Sequence, residues 1–240
     1  MTSADFDFDR VEVRDVSRHY GRRRALAHVT MDLDAGQLVG LFGPNGAGKS
    51  TLLSILSTLM QPTRGAVTYG GQPPRALAER LRGRIGVLGH DLFLYGDLTA
   101  RENLEFFGRL YGLTEVAGTA RAALAAARLE DRANDRVSSF SRGMRQRLAL
   151  ERAVLHRPRL VLLDEPFTGL DDASSVALAG RLTSIRAAGA IVVMATHDFD
   201  SAEGIVTHAW HLSDGRAAPM RDSGGTLRER YRAATREARA

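Results

Sequence analysis

The chain carries the stretch Gly43-Pro44-Asn45-Gly46-Ala47-Gly48-Lys49-Ser50-Thr51 directly after the apolar run Leu38–Phe42. This stretch matches the phosphate-loop template, in which a glycine is followed by four residues of any type, then Gly-Lys and Ser or Thr. Its glycines let successive backbone N–H groups point inward and form a concave anion site. The helix expected to begin near Lys49 adds the positive end of its dipole. We therefore predict that all nine residues build a phosphate-binding loop.

Lys49 is the only lysine in a chain with 33 Lys and Arg residues. A compact ammonium group fits into a phosphate loop, whereas the broad planar guanidinium of arginine does not. We expect Lys49 to reach the β- and γ-phosphates of a nucleotide and the Ser50 hydroxyl to bind Mg²⁺. The alternative is a glycine-rich turn between a strand and a helix. The order of strand, loop, Lys-Ser and apolar helix favours the phosphate loop.

Composition narrows the possible partners. The 240 residues carry a formal net charge of +5, and cysteine is absent, so no disulfide or thiolate-metal scaffold is expected. No apolar stretch approaches the roughly 18–20 residues that cross a bilayer, so any membrane role requires a partner. The positive charge suggests nucleic acid, but none of the clusters at Arg22–Arg24, Arg80–Arg84 and Arg228–Arg239 is interleaved with a series of stacking aromatics. We therefore do not expect nucleic acid as a partner.

Hydrophobic periodicity predicts an α/β chain. We expect an antiparallel edge and a buried sheet from strands at Val11–Val16, Val29–Leu33, Leu38–Phe42, Ala66–Tyr69, Ile85–Leu88, Leu160–Leu163 and Ile191–Ala195, with a hairpin at Val206–Leu212 and Arg216–Ala218. We expect helices at Lys49–Met60, Ala76–Arg82, Thr119–Leu129, Ser141–Leu155 and Ser174–Ala187, and a further helix starts at Thr99, which with Glu102 matches a capping box.

The block from about His90 to Pro158 shows only helical signals. The predicted fold is a P-loop NTPase core, a mixed sheet with flanking helices and an antiparallel β edge, plus an inserted α-helical subdomain. We expect one domain over residues 8–220, with the nucleotide-binding core at 8–89 and 159–220 and the helical subdomain at about 90–158. Residues 221–240 are predicted to form a basic, solvated C-terminal helical tail without chemistry.

Two predicted strands end in candidate catalytic groups. Asp164 and Glu165 end the apolar run that begins at Leu160, and Thr196-His197-Asp198 follows the strand Ile191–Ala195. Ligands of open α/β sheets bind at the carboxyl ends of the strands. Asp164 is suited to an outer contact with Mg²⁺, and Glu165 to accepting the proton of an attacking water. His197 is suited to contacting a γ-phosphate. The alternatives are solvated acids at a strand end and a structural histidine.

Two further residues are candidates for binding. Tyr20 lies between the first two predicted strands, where its ring could stack on adenine, although a loop tyrosine often only packs. Ser141 is a plausible N-cap of an apolar-periodic helix, which makes its N-terminus a second anion site. Nothing nearby in the sequence fills that second site.

This ordered set of motifs, from about Val11 to Ala218, resembles the ATP-binding cassette (ABC) subunit of a transporter. In that family the aromatic that stacks on adenine corresponds to Tyr20, Walker A to Gly43–Thr51, the signature to Phe140–Met144, Walker B to Leu160–Glu165, the D-loop acid to Asp171 and the switch histidine to His197.

The resemblance implies an ATPase with ATP and Mg²⁺ as cofactors and with Lys49, Glu165 and His197 as catalytic residues. It implies that two cassettes, identical or different, pair head to tail. The signature residues Ser141, Arg142, Gly143 and Met144 of one then cap the γ-phosphate held by the other. It also implies membrane-spanning permease subunits and a peripheral location on the cytoplasmic face of the plasma membrane.

The sequence departs from the family pattern at two places. The usual signature Leu-Ser-Gly-Gly-Gln is here Phe140-Ser-Arg-Gly-Met144, which keeps the serine and the second glycine. The usual loop glutamine is here His90, and we hypothesise that His90 replaces it as a contact to Mg²⁺ or water. Tyr95–Gly112 is similar to exporter-type cassettes, and Gly89-His90 is more weakly similar to the haem-exporter subunit of cytochrome c maturation.

The leading hypothesis is therefore ATP hydrolysis that drives export of an unknown substrate. One alternative is a non-transport cassette that acts on nucleic acid or ribosomes, which only the basic charge favours. A regulatory ATP-binding module is a third possibility, and the presence of Glu165 argues against it.

Overall fold

The structure, a computed structural model, describes residues 6–222 and 224–237. Within these residues the chain forms nine strands and eight helices. The strands are β1 (Arg10–Tyr20), β2 (Arg23–Asp34), β3 (Leu38–Phe42), β4 (Arg64–Tyr69), β5 (Ile85–Leu88), β6 (Leu160–Asp164), β7 (Ile191–Thr196), β8 (His208–Ser213) and β9 (Arg216–Pro219). The helices are α1 (Lys49–Leu56), α2 (Pro74–Arg82), α3 (Ala100–Leu110), α4 (Val116–Ala126), α5 (Arg142–Val154), α6 (Asp172–Ala187), α7 (Phe199–Ala202) and α8 (Leu227–Glu237).

The strands form two sheets. A six-stranded sheet has the order β5-β6-β7-β3-β8-β9 and is parallel except for β9, and a three-stranded antiparallel sheet has the order β2-β1-β4. In the larger sheet Phe42 is level with Thr196, and Asp164 with Ala195. The carboxyl ends of β3, β6 and β7 therefore meet at one edge, as the predicted mixed sheet requires, and this edge positions the candidate site.

Three hydrophobic clusters hold the layers together. The first joins the three-stranded sheet, α1 and one face of the larger sheet through residues such as Leu26, Leu52 and Leu162. The second joins the other face of that sheet to α5, α6 and the C-terminal elements. The third lies among α3, α4 and α5, with Leu104 and Leu148 fully buried. Because α5 contributes to the second and third clusters, it connects the helical block to the sheet.

The capping box predicted at the start of the helical block is present. The Thr99 hydroxyl accepts a hydrogen bond from the Glu102 N–H at 3.2 Å, and the Glu102 carboxylate accepts one from the Thr99 N–H at 2.8 Å. The hydrogen bond from the Thr99 N–H, with a second from the Thr99 hydroxyl at 2.9 Å, holds the pKa of the Glu102 carboxyl below its usual value. Gly112 has a left-handed φ of 71° just beyond the end of α3.

The predicted extent of α1 is wrong, because the helix ends at Leu56 and not at Met60. Thr58 has a left-handed φ of 64°, and the Tyr69 hydroxyl donates to the Leu56 carbonyl at 2.6 Å. This bond satisfies one of the carbonyls that a helix end leaves free. Leu59, beyond the end of the helix, is 80% exposed.

Other boundaries also differ from the predictions. β1 continues to Tyr20 and β2 starts at Arg23, so Tyr20 belongs to a strand and the connection is a tight turn. The second helix of the block, α4, lies about three residues earlier than predicted, since it covers Val116–Ala126. It ends where Arg128 has a left-handed φ of 54°, with the Leu129 N–H bonded to the Leu124 carbonyl. This is a Schellman arrangement, with arginine in the place that glycine usually takes.

The sequence predicts a solvated face for the tail helix, and α8 also has a face that is buried. Leu227 is buried, and the Tyr231 ring lies 5.0 Å from the Phe199 ring and 5.2 Å from the His211 ring between centroids. Leu227 and Tyr231 are one helical turn apart and share a face. The surrounding arginines made this apolar pair hard to recognise in the sequence. The predicted tail also includes Ser223 and residues 238–240, which lie outside the described residues.

We predict a pH-dependent stability that depends on His156. Its ring stacks on Tyr111 at 4.1 Å, its Nε2 lies 3.1 Å from the Ile85 carbonyl, and burial lowers its pKa to about 4. Between its ordinary pKa of 6.5 and about 4, the unfolded chain binds a proton that the folded chain does not. The free energy of unfolding should therefore fall as the pH drops through this window, by at most about 1.4 kcal/mol per pH unit for one proton.

Urea unfolding at several pH values would measure this slope. His156→Phe should flatten it relative to wild type, and the exposed His208→Phe should not. An unchanged slope in His156→Phe would contradict the assignment.

Candidate functional site

The predicted phosphate loop connects β3 to α1, and its shape is imposed by neighbouring backbone. Gly46 and Gly48 have left-handed φ values of 80° and 109°. A Cβ atom on Gly43 would lie 2.1 Å from the Leu212 carbonyl oxygen, and one on Gly48 would lie 2.4 Å from the Ala25 carbonyl oxygen. Side chains are therefore excluded at both positions, which leaves the backbone N–H groups of the loop free to bind an anion.

Lys49 begins α1 and is buried against the loop. Its Nζ donates to the Gly43 carbonyl at 2.7 Å and to the Pro44 carbonyl at 3.3 Å. Gly48 is the N-cap of α1, and no side chain caps the helix. The ammonium group and the free N–H groups of the first turn therefore put positive charge at one end of the loop.

A cavity of about 410 Å³ lies over the loop. It brings together most of the predicted site residues and adds two that the sequence did not indicate, Arg23 and Ala25. Its lining consists of Tyr20, Arg23, Ala25, Asn45, Gly46, Gly48, Lys49, Ser50, Thr51, His90, Asp164 and Glu165. Gly43, Pro44 and Ala47 belong to the loop without lining this cavity.

The two carboxylates lie at the end of β6, as predicted. Glu165 has a left-handed φ of 52°, and its N–H donates to the Ala195 carbonyl of the neighbouring strand at 2.8 Å. Its Oε2 lies 2.9 Å from His197 Nδ1. The sequence indicated both residues but not this contact. His197 therefore orients Glu165 from outside the cavity lining, and its own side chain is 66% exposed.

Tyr20 lies at the cavity with one ring face already covered. The Arg18 guanidinium carbon lies 5.0 Å from the ring centroid, and the Tyr20 hydroxyl donates to Met60 Sδ at 3.0 Å. These contacts hold the ring, and Tyr20 remains 44% exposed. The adenine contact stays a prediction.

The residues predicted to bind metal fit a magnesium ion that is shared with a nucleotide. Mg²⁺ usually keeps several waters and takes one or two protein oxygens together with substrate phosphates. Ser50 and Asp164 line the same cavity and offer such oxygens, and the exposed His90 lines it too. In residues 6–222 and 224–237, no three His, Cys, Asp or Glu side chains form a metal-binding group by themselves.

The signature residues and Asp171 lie apart from this cavity. The Ser141 hydroxyl accepts the Met144 N–H at 3.2 Å and caps α5 as predicted. Asp171 caps α6 by accepting the Ser174 N–H at 2.7 Å, and this bond lowers the pKa of Asp171. A Cβ on Gly143 would lie 2.6 Å from the Ser174 hydroxyl oxygen, so the two helix starts are packed together.

Two other contacts connect the start of α5 to the segment that follows Glu165. The buried Gln146 side chain donates to the Pro166 carbonyl at 2.9 Å, next to Glu165. The Arg142 guanidinium lies against Gly169, where a Cβ would stand 2.8 Å from its Cζ. The sequence did not indicate Gln146, and its only signal was a polar residue on the inner side of an amphipathic helix.

Comparison with known sequences agrees with these features. A family model described as "ABC transporter" matches residues 26–168. The Nod factor export ATP-binding protein I of Cupriavidus pinatubonensis is 38% identical over 208 residues, which are 86% of this chain and 64% of that protein. A linearmycin resistance ATP-binding protein of Bacillus subtilis is 33% identical over 195 residues, 80% of this chain and 63% of that protein. The chain thus spans less than two thirds of the length of both relatives.

Solved structures agree as well. The ATP binding subunit of an ABC transporter superposes with a TM-score of 0.83 and 34% identity, covering 94% of this chain and 99% of that chain. An ATP-binding cassette bound to ADP and Pi, in a dimeric post-hydrolysis state, superposes with a TM-score of 0.78 and 28% identity, covering 88% of this chain and 99% of that chain.

We predict that Gly43→Ala damages the phosphate loop. The added methyl group collides with the Leu212 backbone, so the loop or β8 must shift, at a cost of about 1–3 kcal/mol in unfolding free energy. The Kd for ATP should rise with it. Thermal unfolding and ATP titration would measure both effects.

Gly118→Ala is the matched control, because nothing lies within 4 Å of a Cβ there and the residue is helical. It should leave ATP affinity unchanged. Equal ATP affinity and stability in Gly43→Ala and wild type would contradict the steric argument.

Proposed function

The chain belongs to the ABC transporter family as one of its ATP-binding subunits, and we propose that it hydrolyses MgATP to power export through separate membrane-spanning subunits. The observation that carries the proposal is the single cavity lined by Lys49, Ser50, Asp164 and Glu165. It puts a phosphate cradle and two carboxylates at one sheet edge. The names of the curated relatives, which are export and resistance ATP-binding proteins, support the exporter type.

In the proposed mechanism the chain acts by positioning and electrostatics. The loop N–H groups and Lys49 hold the β- and γ-phosphates, and the free face of Tyr20 stacks on adenine. Ser50 and Asp164 would hold Mg²⁺, which offsets phosphate charge when bound. Glu165 orients a water and accepts its proton, while His197 holds the Glu165 carboxylate and contacts the γ-phosphate.

A second cassette, identical or different, completes the site in this proposal. Ser141, Arg142, Gly143, Met144 and Asp171 lie on a surface outside the cavity of their own chain. The N-terminus of α5 offers donors to a phosphate held by another copy. The dimeric state of the related cassette with ADP and Pi supports pairing, and the head-to-tail arrangement is part of the proposal.

Membrane-spanning partners follow from the same family. No helix among residues 6–222 and 224–237 is both long enough and apolar enough to cross a bilayer. Phe93, Tyr95, Phe106 and Leu110 are exposed large hydrophobic residues, and the Tyr95 and Phe106 rings are in contact at 5.1 Å. An exposed apolar patch of this kind suits docking to another protein. We assign it to a permease subunit, which would hold the chain at the cytoplasmic face of the plasma membrane.

We predict that Glu165→Gln binds ATP but hydrolyses it about 10²–10⁴-fold more slowly, because the general base is lost. Undiminished binding with blocked hydrolysis should trap a dimer. ATP turnover and size-exclusion chromatography with ATP would measure this, and Glu130→Gln, at an exposed position, is the control. A mutant that stays monomeric with bound ATP would count against the paired mechanism.

We also predict that His90 contacts Mg²⁺ or its water. His90→Ala should raise the Mg²⁺ concentration needed for half-maximal ATP hydrolysis, and His90→Gln should restore it, because an amide also offers a ligand atom. His208→Ala is the control, because His208 is exposed and does not line the cavity. An unchanged Mg²⁺ dependence in His90→Ala would exclude this role.

A further inference from the structure

Arg23 is a cation of the cavity that the proposed mechanism leaves without a task. It lies in the basic cluster Arg22–Arg24 and lines the cavity together with Lys49. Its Nη2 atom lies 3.3 Å from where a Cβ on Gly46 would stand. The guanidinium group is therefore packed against the middle of the phosphate loop.

The backbone holds Arg23 in this position. Arg23 is the cross-strand neighbour of Tyr20 at the β1–β2 turn. Two residues further along β2, the Ala25 carbonyl is wedged against Gly48, and the Ala27 N–H donates to the Gly215 carbonyl at 2.8 Å. The backbone at the start of β2 is thus fixed against the loop. Arg23 can move only through rotation of its side-chain torsion angles.

The cavity lining distinguishes Arg23 from its neighbour Arg24. Arg23 and Ala25 both line the cavity, whereas Arg24 does not and instead pairs across the strands with His19. Two adjacent arginines of equal charge therefore face different surroundings.

The guanidinium group of Arg23 is also available. Among the described residues it makes no ion pair within 4.0 Å, unlike Arg14, Arg159 and Arg181. Lys49, the other cation, is already bonded to two loop carbonyls. A guanidinium group presents paired donors that match phosphate oxygens.

We propose that Arg23 donates to the phosphates of the bound nucleotide beyond the first, and so makes the site select nucleoside di- and triphosphates over monophosphates. The inference rests on the proposed function, because it concerns the same cavity. Tyr20 would hold the base and Lys49 the β- and γ-phosphates, with Arg23, which lies against Gly46 of the loop, as a second cationic contact to those same phosphates.

Isothermal titration with MgADP and with AMP tests the proposal, since neither nucleotide is hydrolysed. Arg23→Gln should weaken MgADP binding about tenfold, the order expected for a lost charge-assisted hydrogen bond, and change AMP binding less than about twofold. Arg23→Lys, which keeps the charge, should recover part of the loss. Arg24→Gln is the matched control and should bind both nucleotides like wild type.

Equal weakening of MgADP and AMP in Arg23→Gln would overturn the proposal, because the residue would then only shape the loop. An equal effect from Arg24→Gln would also overturn it, since general surface charge would then explain the loss. If wild type binds MgADP and Arg23→Gln matches it, the inference fails alone. If wild type binds no adenine nucleotide, the proposed function fails and the inference fails with it.

Discussion

The constraint on which the rest of the structure depends is the close packing of bare backbone around the phosphate loop. The Leu212 carbonyl lies where a side chain on Gly43 would project, and the Ala25 carbonyl lies where one on Gly48 would project. The Gly215 N–H also donates to the Ala47 carbonyl at 3.2 Å. The loop is therefore held by three elements that are far apart in sequence: β2, β8 and the turn into β9. No side chain at Gly43 or Gly48 occupies the space inside the loop, so its backbone N–H groups remain accessible to an anion.

The packed loop also concentrates positive charge at one point. The buried Lys49 ammonium lies against the loop carbonyls, and the helix start adds partial positive charge at the same point. Asp164 and Glu165 enter the same cavity because β6 runs parallel to β7 and ends level with it. Opposite charges thus face one small volume without bonding directly to each other. An anionic ligand that also brings a divalent cation would satisfy both sets, and MgATP is such a ligand.

Several surface features lie away from the cavity. The capped start of α5 and Asp171 lie outside the cavity, and the aromatic residues Phe93, Tyr95 and Phe106 are exposed on the helical block. Helix α5 connects them physically, because it packs in the cores of both the helical block and the sheet. Its Gln146 contacts the Pro166 carbonyl beside Glu165. A partner bound to the helical block could therefore influence the catalytic edge through one rigid element, which is the coupling that the proposed function requires.

The sequence by itself determined the features that depend on neighbours along the chain. These are the phosphate loop, the buried strands that end in Asp164 and Thr196, the capping box at Thr99 and the cap at Ser141, since each is a pattern of local hydrogen bonding or periodic burial. Only the tertiary structure decided where α1 ends, which face of α8 is buried, that Glu165 contacts His197, and that Arg23 but not Arg24 faces the cavity. In each case a partner distant in sequence selects the outcome, as Tyr69 does at Leu56 and Tyr231 does at Phe199. Hydrophobic periodicity does not identify such partners, because it indicates whether a residue is buried or exposed and not which residue it contacts.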